Sequence, residues 1–370
     1  MMRIFKFIVI LFVFVFFLYF YKSITNKALD LNELIGLDLP TSAWDNYYID
    51  TYNGSVSLKS IIEHVYRPMG YKVIEWHGFY PGLAKIRPQT CDAIFDEWNN
   101  VAKTYDPEWT PIEKLDKEQI KNYTLNNYAK LTYNYMNNKM SNIQEVWKRD
   151  KIEDKIASKD ILETIKYRDS GGKAVFYATL AYSVRNLTGM VIGSLDPWCE
   201  AICLKNGAKE MITVEYLTIK IEHEKVKFVH AIELANNYKK YLGTMDFIVS
   251  FSSNEHSGLG RFGDPLDAIG DIREMEKIHC ILKENGILYL GFPIGYDEVV
   301  FNAHRIYGPL RLPLMFQGST NFLDVANLDV TNVDVTDADA TDIDVTDADI
   351  DVTDVDVIDA DVTDVTLQKE

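Results

Sequence analysis

From Met245 the chain reads as an apolar run, a polar loop, a helix-spaced stretch and a second apolar run. Met245-Asp246-Phe247-Ile248-Val249-Ser250-Phe251 stops at the small polar Ser252-Ser253-Asn254, the pattern of a buried strand. A glycine-rich loop follows, Glu255 to Pro265. Leu266, Ile269, Ile272, Met275, Ile278 and Leu282 then recur at spacings of three and four, which predicts an amphipathic helix, with Asn285-Gly286 as its left-handed cap. Ile287 to Phe292 is a second strand. Strand, helix and strand in this span make a βαβ unit, whose strands lie parallel. The same alternation runs earlier in the chain. Met190–Gly193, Met211–Glu215 and Val226–Val229 read as strands, and Trp198–Asn206, with Pro197 at its start and Asn206-Gly207 at its end, reads as a helix. Five strands alternating with helices predict an α/β fold with a doubly wound, mostly parallel sheet. Leu310 to Phe316 is expected to complete the sheet edge.

The first half is patterned differently. Phe7 to Tyr21 is free of charge, with Arg3 and Lys6 before it and Lys22 and Lys27 after. At 1.5 Å per residue it spans only about 22 Å, and bulky residues stand where a signal peptidase needs small ones. Residues 4–21 are therefore expected to be an uncleaved transmembrane signal anchor, and 22–60 a stem. With the N-terminal amine, Arg3 and Lys6 cytosolic, the body faces the lumen of the endoplasmic reticulum or Golgi. Sequons at Asn53, Asn122 and Asn186 permit that topology. Residues 61–169 carry a strand-like Tyr71–Trp76, a Thr90-capped helix, and helical spacing through Leu125, Tyr128, Leu131 and Tyr135. They predict a mainly helical accessory region before the α/β domain at 170–320.

Charge changes one part of the picture. The net charge of −17 is concentrated: residues 321–370 hold fifteen Asp, Glu370 and Lys369, or −15, which leaves −2 for the rest. A nearly neutral body gives no basic field for nucleic acid. The tail repeats Asp with Val, Ala or Ile about every five residues and is expected to be disordered. Four cysteines make no metal-ligand pattern, and Cys199 and Cys203 read as thiols packed in a core.

Candidate chemistry gathers where strands end, since parallel sheets bind ligands at their carboxyl edges. The turn at Gly193–Pro197 opens a helix, and Glu215 ends the next strand 22 residues after Gly193, the interval that suits a nucleotide-type ligand. An ordinary βα turn with a surface Glu fits the same residues. The loop after Ser252 brings His256, a possible general base, Arg261, a clamp for an anion, and Asp264 among Gly258, Gly260 and Gly263. Asp264-Pro265 equally suits a helix start. Asn302, His304 and Arg305 form a third, weaker group.

These motifs carry a resemblance. Glu255-His256, Gly258-Leu259-Gly260-Arg261-Phe262-Gly263-Asp264-Pro265 and Phe301-Asn302-Ala303-His304-Arg305-Ile306-Tyr307 resemble the family known as domain of unknown function 268, best known from nematodes, over about residues 170–318. More remotely, the order of elements is similar to class I S-adenosylmethionine-dependent methyltransferases. That resemblance places Gly193 in the cofactor turn and Glu215 on the ribose; Ser194 and Ser252 are expected to bind the cofactor with them, and His256, Arg261 and Asp264 to be the catalytic residues. It implies methyl transfer to a glycan or small polar acceptor, or a non-catalytic relative binding a glycan or protein. The chain departs from the family pattern where Gly-x-Gly-x-Gly is replaced by Gly193-Ser194-Leu195-Asp196-Pro197, so Leu195 and Pro197 are expected to intrude on the cofactor's space.

Overall fold

The computed structural model describes residues 6–9, 41–76, 80–106, 110–137, 145–165 and 171–317. The acidic tail at 321–370 and, Lys6–Val9 apart, the segment expected to be the anchor lie outside them. Among the described residues no helix is long and apolar enough to cross a membrane.

Five strands form the predicted parallel sheet: β1 (Thr188–Ile192), β2 (Glu210–Glu215), β3 (Val226–His230), β4 (Met245–Phe251) and β5 (Leu282–Gly291). Their spatial order is β5-β4-β1-β2-β3, and every adjacent pair is parallel. Lys6–Val9 pairs parallel outside β5. The chain thus builds outward from β1 in one direction, returns, and builds outward from β4 in the other.

Alternation along the strands supplies two cores. Met190, Ile192, Ile248, Leu288 and Leu290 face α1 (Cys91–Ala102), α5 (Ala231–Asn236) and α6 (Gly270–Ile281). Val191, Phe247, Val249 and Tyr289 face α2 (Arg149–Ala157), α3 (Lys173–Ala181) and α4 (Trp198–Lys205). A sheet covered on both faces needs apolar side chains in both directions, which is why its strands read as continuous apolar runs. Cys199 and Cys203 are buried free thiols in the second core. Cys91 and Cys280, 189 residues apart, form a disulfide between α1 and α6, with a Cα–Cα distance of 5.7 Å. Arg273 joins the same helices, holding Asp267 at 2.7 Å and Glu97 at 2.9 Å.

Several local expectations are corrected. Leu310–Phe316 adds no strand: Pro313 lacks the N–H a ladder needs, and Leu312–Met315 is a helical turn. Asn285-Gly286 does not cap α6, which ends at Ile281. Asn285 instead sits at φ +65 inside β5, close to a register shift against β4. The helical spacing through Leu125–Tyr135 is broken by three consecutive left-handed residues, Leu125, Asn126 and Asn127, after a helix at Lys117–Tyr123. Lys130–Tyr133 then pairs with Glu298–Phe301, itself joined to His304–Ile306. The accessory region is therefore mixed, with a further hairpin of Tyr71–Trp76 and Pro81–Lys85. Thr90 does cap α1, accepting from the Ala93 amide at 3.2 Å.

Candidate active site

The point where strand order reverses lies between β1 and β4. Register sets what meets there. Ile192 pairs with Val214, and Val249 with Val191, so Gly193, Glu215 and Phe251 end their strands at one level. Gly193 has φ +74, and a Cβ on it would lie 1.9 Å from the Ser253 Oγ. Only glycine lets the β1 turn and the β4 loop approach so closely. Ser252, at φ +47, turns the chain sharply at the end of β4. Its hydroxyl donates to Glu255 Oε1 at 2.9 Å.

The glycine-rich loop is folded around a carboxylate. Asp264 accepts from the amides of Gly258 at 2.8 Å, Gly260 at 3.0 Å and Phe262 at 3.2 Å. Gly258, at φ +81, presses on the Asp267 carbonyl, where a Cβ would approach to 2.1 Å. The second motif clamps the first from outside. The Ala303 carbonyl accepts from His256 Nδ1 at 2.5 Å and Arg261 Nη1 at 3.4 Å. Asn302 Nδ2 donates to the Leu259 carbonyl at 3.1 Å, and Arg305 Nη1 to that of Ser257 at 2.6 Å. Arg305 is fully buried, and with Arg311 it flanks the buried Asp271. Of the third candidate group, Asn302 and Arg305 thus hold the loop, while His304 reaches the cleft. The two sequence motifs are halves of one interlocked structure.

A cleft of about 830 Å³ opens at this point. Gly193, Ser194 and Glu215 line one side, and Ser252, His256, Arg261 and Asp264 the other. The volume lies within the ~300–1,000 Å³ common for small-molecule sites. Leu195 lies at the rim and is partly exposed, and Pro197 is buried outside the lining. The turn's departure from a glycine-rich sequence therefore leaves room beside Gly193.

Electrostatics inside the cleft follow from burial. His256 must place its proton on Nδ1 to reach the Ala303 carbonyl, which leaves Nε2 as a bare acceptor. Burial, with Arg261 nearby, lowers its pKa to about 3, so the ring is neutral. Burial raises Glu215 to about 7, partly offset by main-chain amides of Tyr216, Leu217 and Ser194 directed at its carboxyl. Burial likewise raises Glu255 to about 7, and Asp264 above the usual carboxylate range. Glu255 stood among the charged residues of the loop in the sequence, but nothing there marked it as buried. Glu200, an isolated charge in the apolar first turns of α4, is fully buried behind the cleft. It accepts from Thr213 at 2.7 Å and Ser194 at 3.1 Å.

Among the described residues one group, Glu153, His223 and Glu224, has the spacing to hold a metal ion. The hydrogen bonds argue against it. His223 Nδ1 accepts from the Lys225 amide, so Nε2 carries the proton and donates to Glu153 at 3.3 Å. Arg149 already lies 3.0 Å from Glu224.

Residues 186–346 match the model of a family described as a Caenorhabditis protein of unknown function, DUF268, which bears out the resemblance drawn from the two loop motifs. No curated protein and no solved structure matches the chain.

Proposed function

We propose, for a chain whose residues 186–346 form a DUF268 region, that the cleft between β1 and β4 binds S-adenosylmethionine and that the protein transfers its methyl group to a glycan or small polar acceptor. One observation carries this reading. At the reversal of strand order, the β1 turn, the carboxylate ending β2 and the loop after β4 converge on one cleft, the place where open α/β sheets take nucleotide-bearing ligands. The order β5-β4-β1-β2-β3 supports the reading, since doubly wound nucleotide-binding sheets also reverse their strand order beside the first strand.

The bound cofactor supplies an electrophilic methyl group. The chain's own residues supply the rest. Glu215 accepts from the ribose hydroxyls, and Gly193 and Ser194 let the main chain approach the ligand. His256 Nε2 accepts from the hydroxyl of the methyl acceptor. Arg261, lying over the Phe262 ring, orients that acceptor's polar groups. Asp264 acts through the loop it organises. Isothermal titration with S-adenosylmethionine tests the reading: saturable heat is expected at micromolar ligand, and no heat at millimolar ligand overturns it.

A second reading has its own support. The amides directed at Glu215 compete with a ribose, and a histidine held near 3 is a weak base. A protein that binds a glycan or protein here without turnover fits both facts. It predicts partner binding that survives His256→Ala.

We place the body in the lumen of the secretory pathway, behind a membrane anchor at residues 4–21, a reading that requires Lys6–Val9 to leave the edge of β5 for the membrane. The Cys91–Cys280 disulfide favours an oxidising compartment, and Asn53, Asn122 and Asn186 are all exposed. A glycosidase-sensitive mobility shift is expected, and its absence would refute the placement.

A further inference from the structure

The cleft lining holds more acid than its cations can pair. Lys155 is taken by Asp196 at 3.4 Å and the Thr164 carbonyl at 2.9 Å. Lys277 is taken by Glu274 at 2.6 Å and lies 4.0 Å above the Trp98 ring. Arg261 covers Phe262 at 4.9 Å and donates to Ala303. Burial keeps His256 neutral and lowers the pKa of His304. Among the acids, Glu215 and Asp264 accept from main-chain amides.

Glu255 differs. It is 1% exposed, its Oε1 accepts from Ser252, and main-chain amides of Glu255 and Ser253 are also directed at its carboxyl, but its Oε2 meets no hydrogen-bond partner among the described residues. The groups around it are Arg261, the bare Nε2 of His256 at 3.7 Å from Oε1, and the buried hydroxyl of Tyr307. A buried carboxyl oxygen without a partner costs free energy until something pairs with it.

From this geometry we propose that Glu255 is the counter-ion for a cationic group of the ligand, a sulfonium or an ammonium. This rests on the reading above for the cofactor's identity, but not for the cation. The linkage to pH follows. Glu255 is raised to about 7 by burial, so at pH 6 about a tenth of the protein holds the carboxylate and at pH 8 about nine tenths. Affinity for a cation should therefore rise about tenfold between pH 6 and pH 8, with proton release on binding at the lower pH.

The full chain is titrated with S-adenosylmethionine and with the uncharged 5′-methylthioadenosine at pH 6 and pH 8. Binding of trimethylsulfonium is followed by saturation-transfer NMR. The proteins are wild type, Glu255→Gln and Glu255→Asp, each checked by circular dichroism for retained fold. The expected result is a rise in affinity from pH 6 to pH 8 about tenfold greater for S-adenosylmethionine than for 5′-methylthioadenosine, which shares only the contribution of Glu215; this excess is lost in Glu255→Gln and kept in Glu255→Asp. Trimethylsulfonium should bind wild type and not Glu255→Gln. If S-adenosylmethionine binds but Glu255→Gln keeps the excess, the counter-ion is overturned and the cofactor reading stands. If neither adenosine compound binds but trimethylsulfonium does so through Glu255, the cofactor reading fails and the counter-ion stands. If no probe binds, both fall.

Discussion

Removing the Cys91–Cys280 disulfide should cost more than any single side chain in the molecule. The bond closes a loop of 189 residues between the start of α1 and the end of α6. In the chain-entropy account, a cross-link over that length raises the free energy of the unfolded ensemble by about 5 kcal/mol at 25 °C. Folded domains are stable by only about 5–15 kcal/mol, so the loss approaches the whole margin. The folded state keeps another tie between the same helices. Arg273 of α6 bonds Glu97 of α1, and α1 is held elsewhere too, by Phe95 stacking on Tyr238 after α5 at 4.4 Å. The variant Cys91→Ala/Cys280→Ala should therefore still fold but unfold at much lower urea. Tryptophan fluorescence during urea titration reads this directly, with the oxidised wild type and the wild type in reductant alongside. Reductant should move the wild type onto the double variant and leave the variant unmoved. An unchanged midpoint in either comparison, or four reactive thiols in the unreduced, unfolded wild type, would refute the assignment.

Other perturbations probe the site's architecture. Gly193→Ala brings a Cβ against Ser253 at φ +74, and should cost about 3 kcal/mol. Adding Ser253→Gly should recover the part due to overlap in the same urea assay and leave the ~1–2 kcal/mol of left-handed strain, and additive losses would contradict the close approach. Burial raises Glu200 from 4.5 to about 7, so the folded state retains a proton that the unfolded state releases. That stabilisation is complete below about pH 4.5 and is lost as pH rises through 7, an interval worth about 3 kcal/mol. Glu215 and Glu255 share the interval, so Glu200→Gln should reduce the fall in stability from pH 5 to 8 by about 3 kcal/mol rather than abolish it; parallel curves would contradict it. Arg311→Met leaves Asp271 buried with only Arg305, at 3.8 Å, and should cost about 3–5 kcal/mol in thermal or urea unfolding. A loss below 1 kcal/mol would show the cluster to be solvated.

What the sequence revealed followed from local periodicity. The five strands and α6 were legible because each is an apolar run or stripe bounded by turn residues. The 22-residue interval from Gly193 to Glu215 was legible as a distance along the chain, and the register of Ile192 with Val214 turns it into adjacency. Strand order was not legible, because it depends on which edges meet. The pairing of Cys91 with Cys280 escaped for the same reason: no pattern in the chain links residues that far apart. The Leu125–Tyr135 stretch misled because apolar spacing says nothing of φ, and three left-handed residues cost a helix there. Most informative is the division of labour between the motifs. His256 and Arg261 looked like chemistry and line the cleft. Arg305 looked similar, but full burial against Asp271 and the Ser257 carbonyl gives it the work of holding the loop. Charge type was visible in the sequence, and burial was not.

The most direct measurement is a crystal of the protein soaked with S-adenosylhomocysteine. The ligand should lie beside Gly193 and Ser253, its ribose hydroxyls on Glu215 and its amino acid portion toward Glu255. Density at another surface, or a cleft filled by the chain's own side chains, would contradict the account.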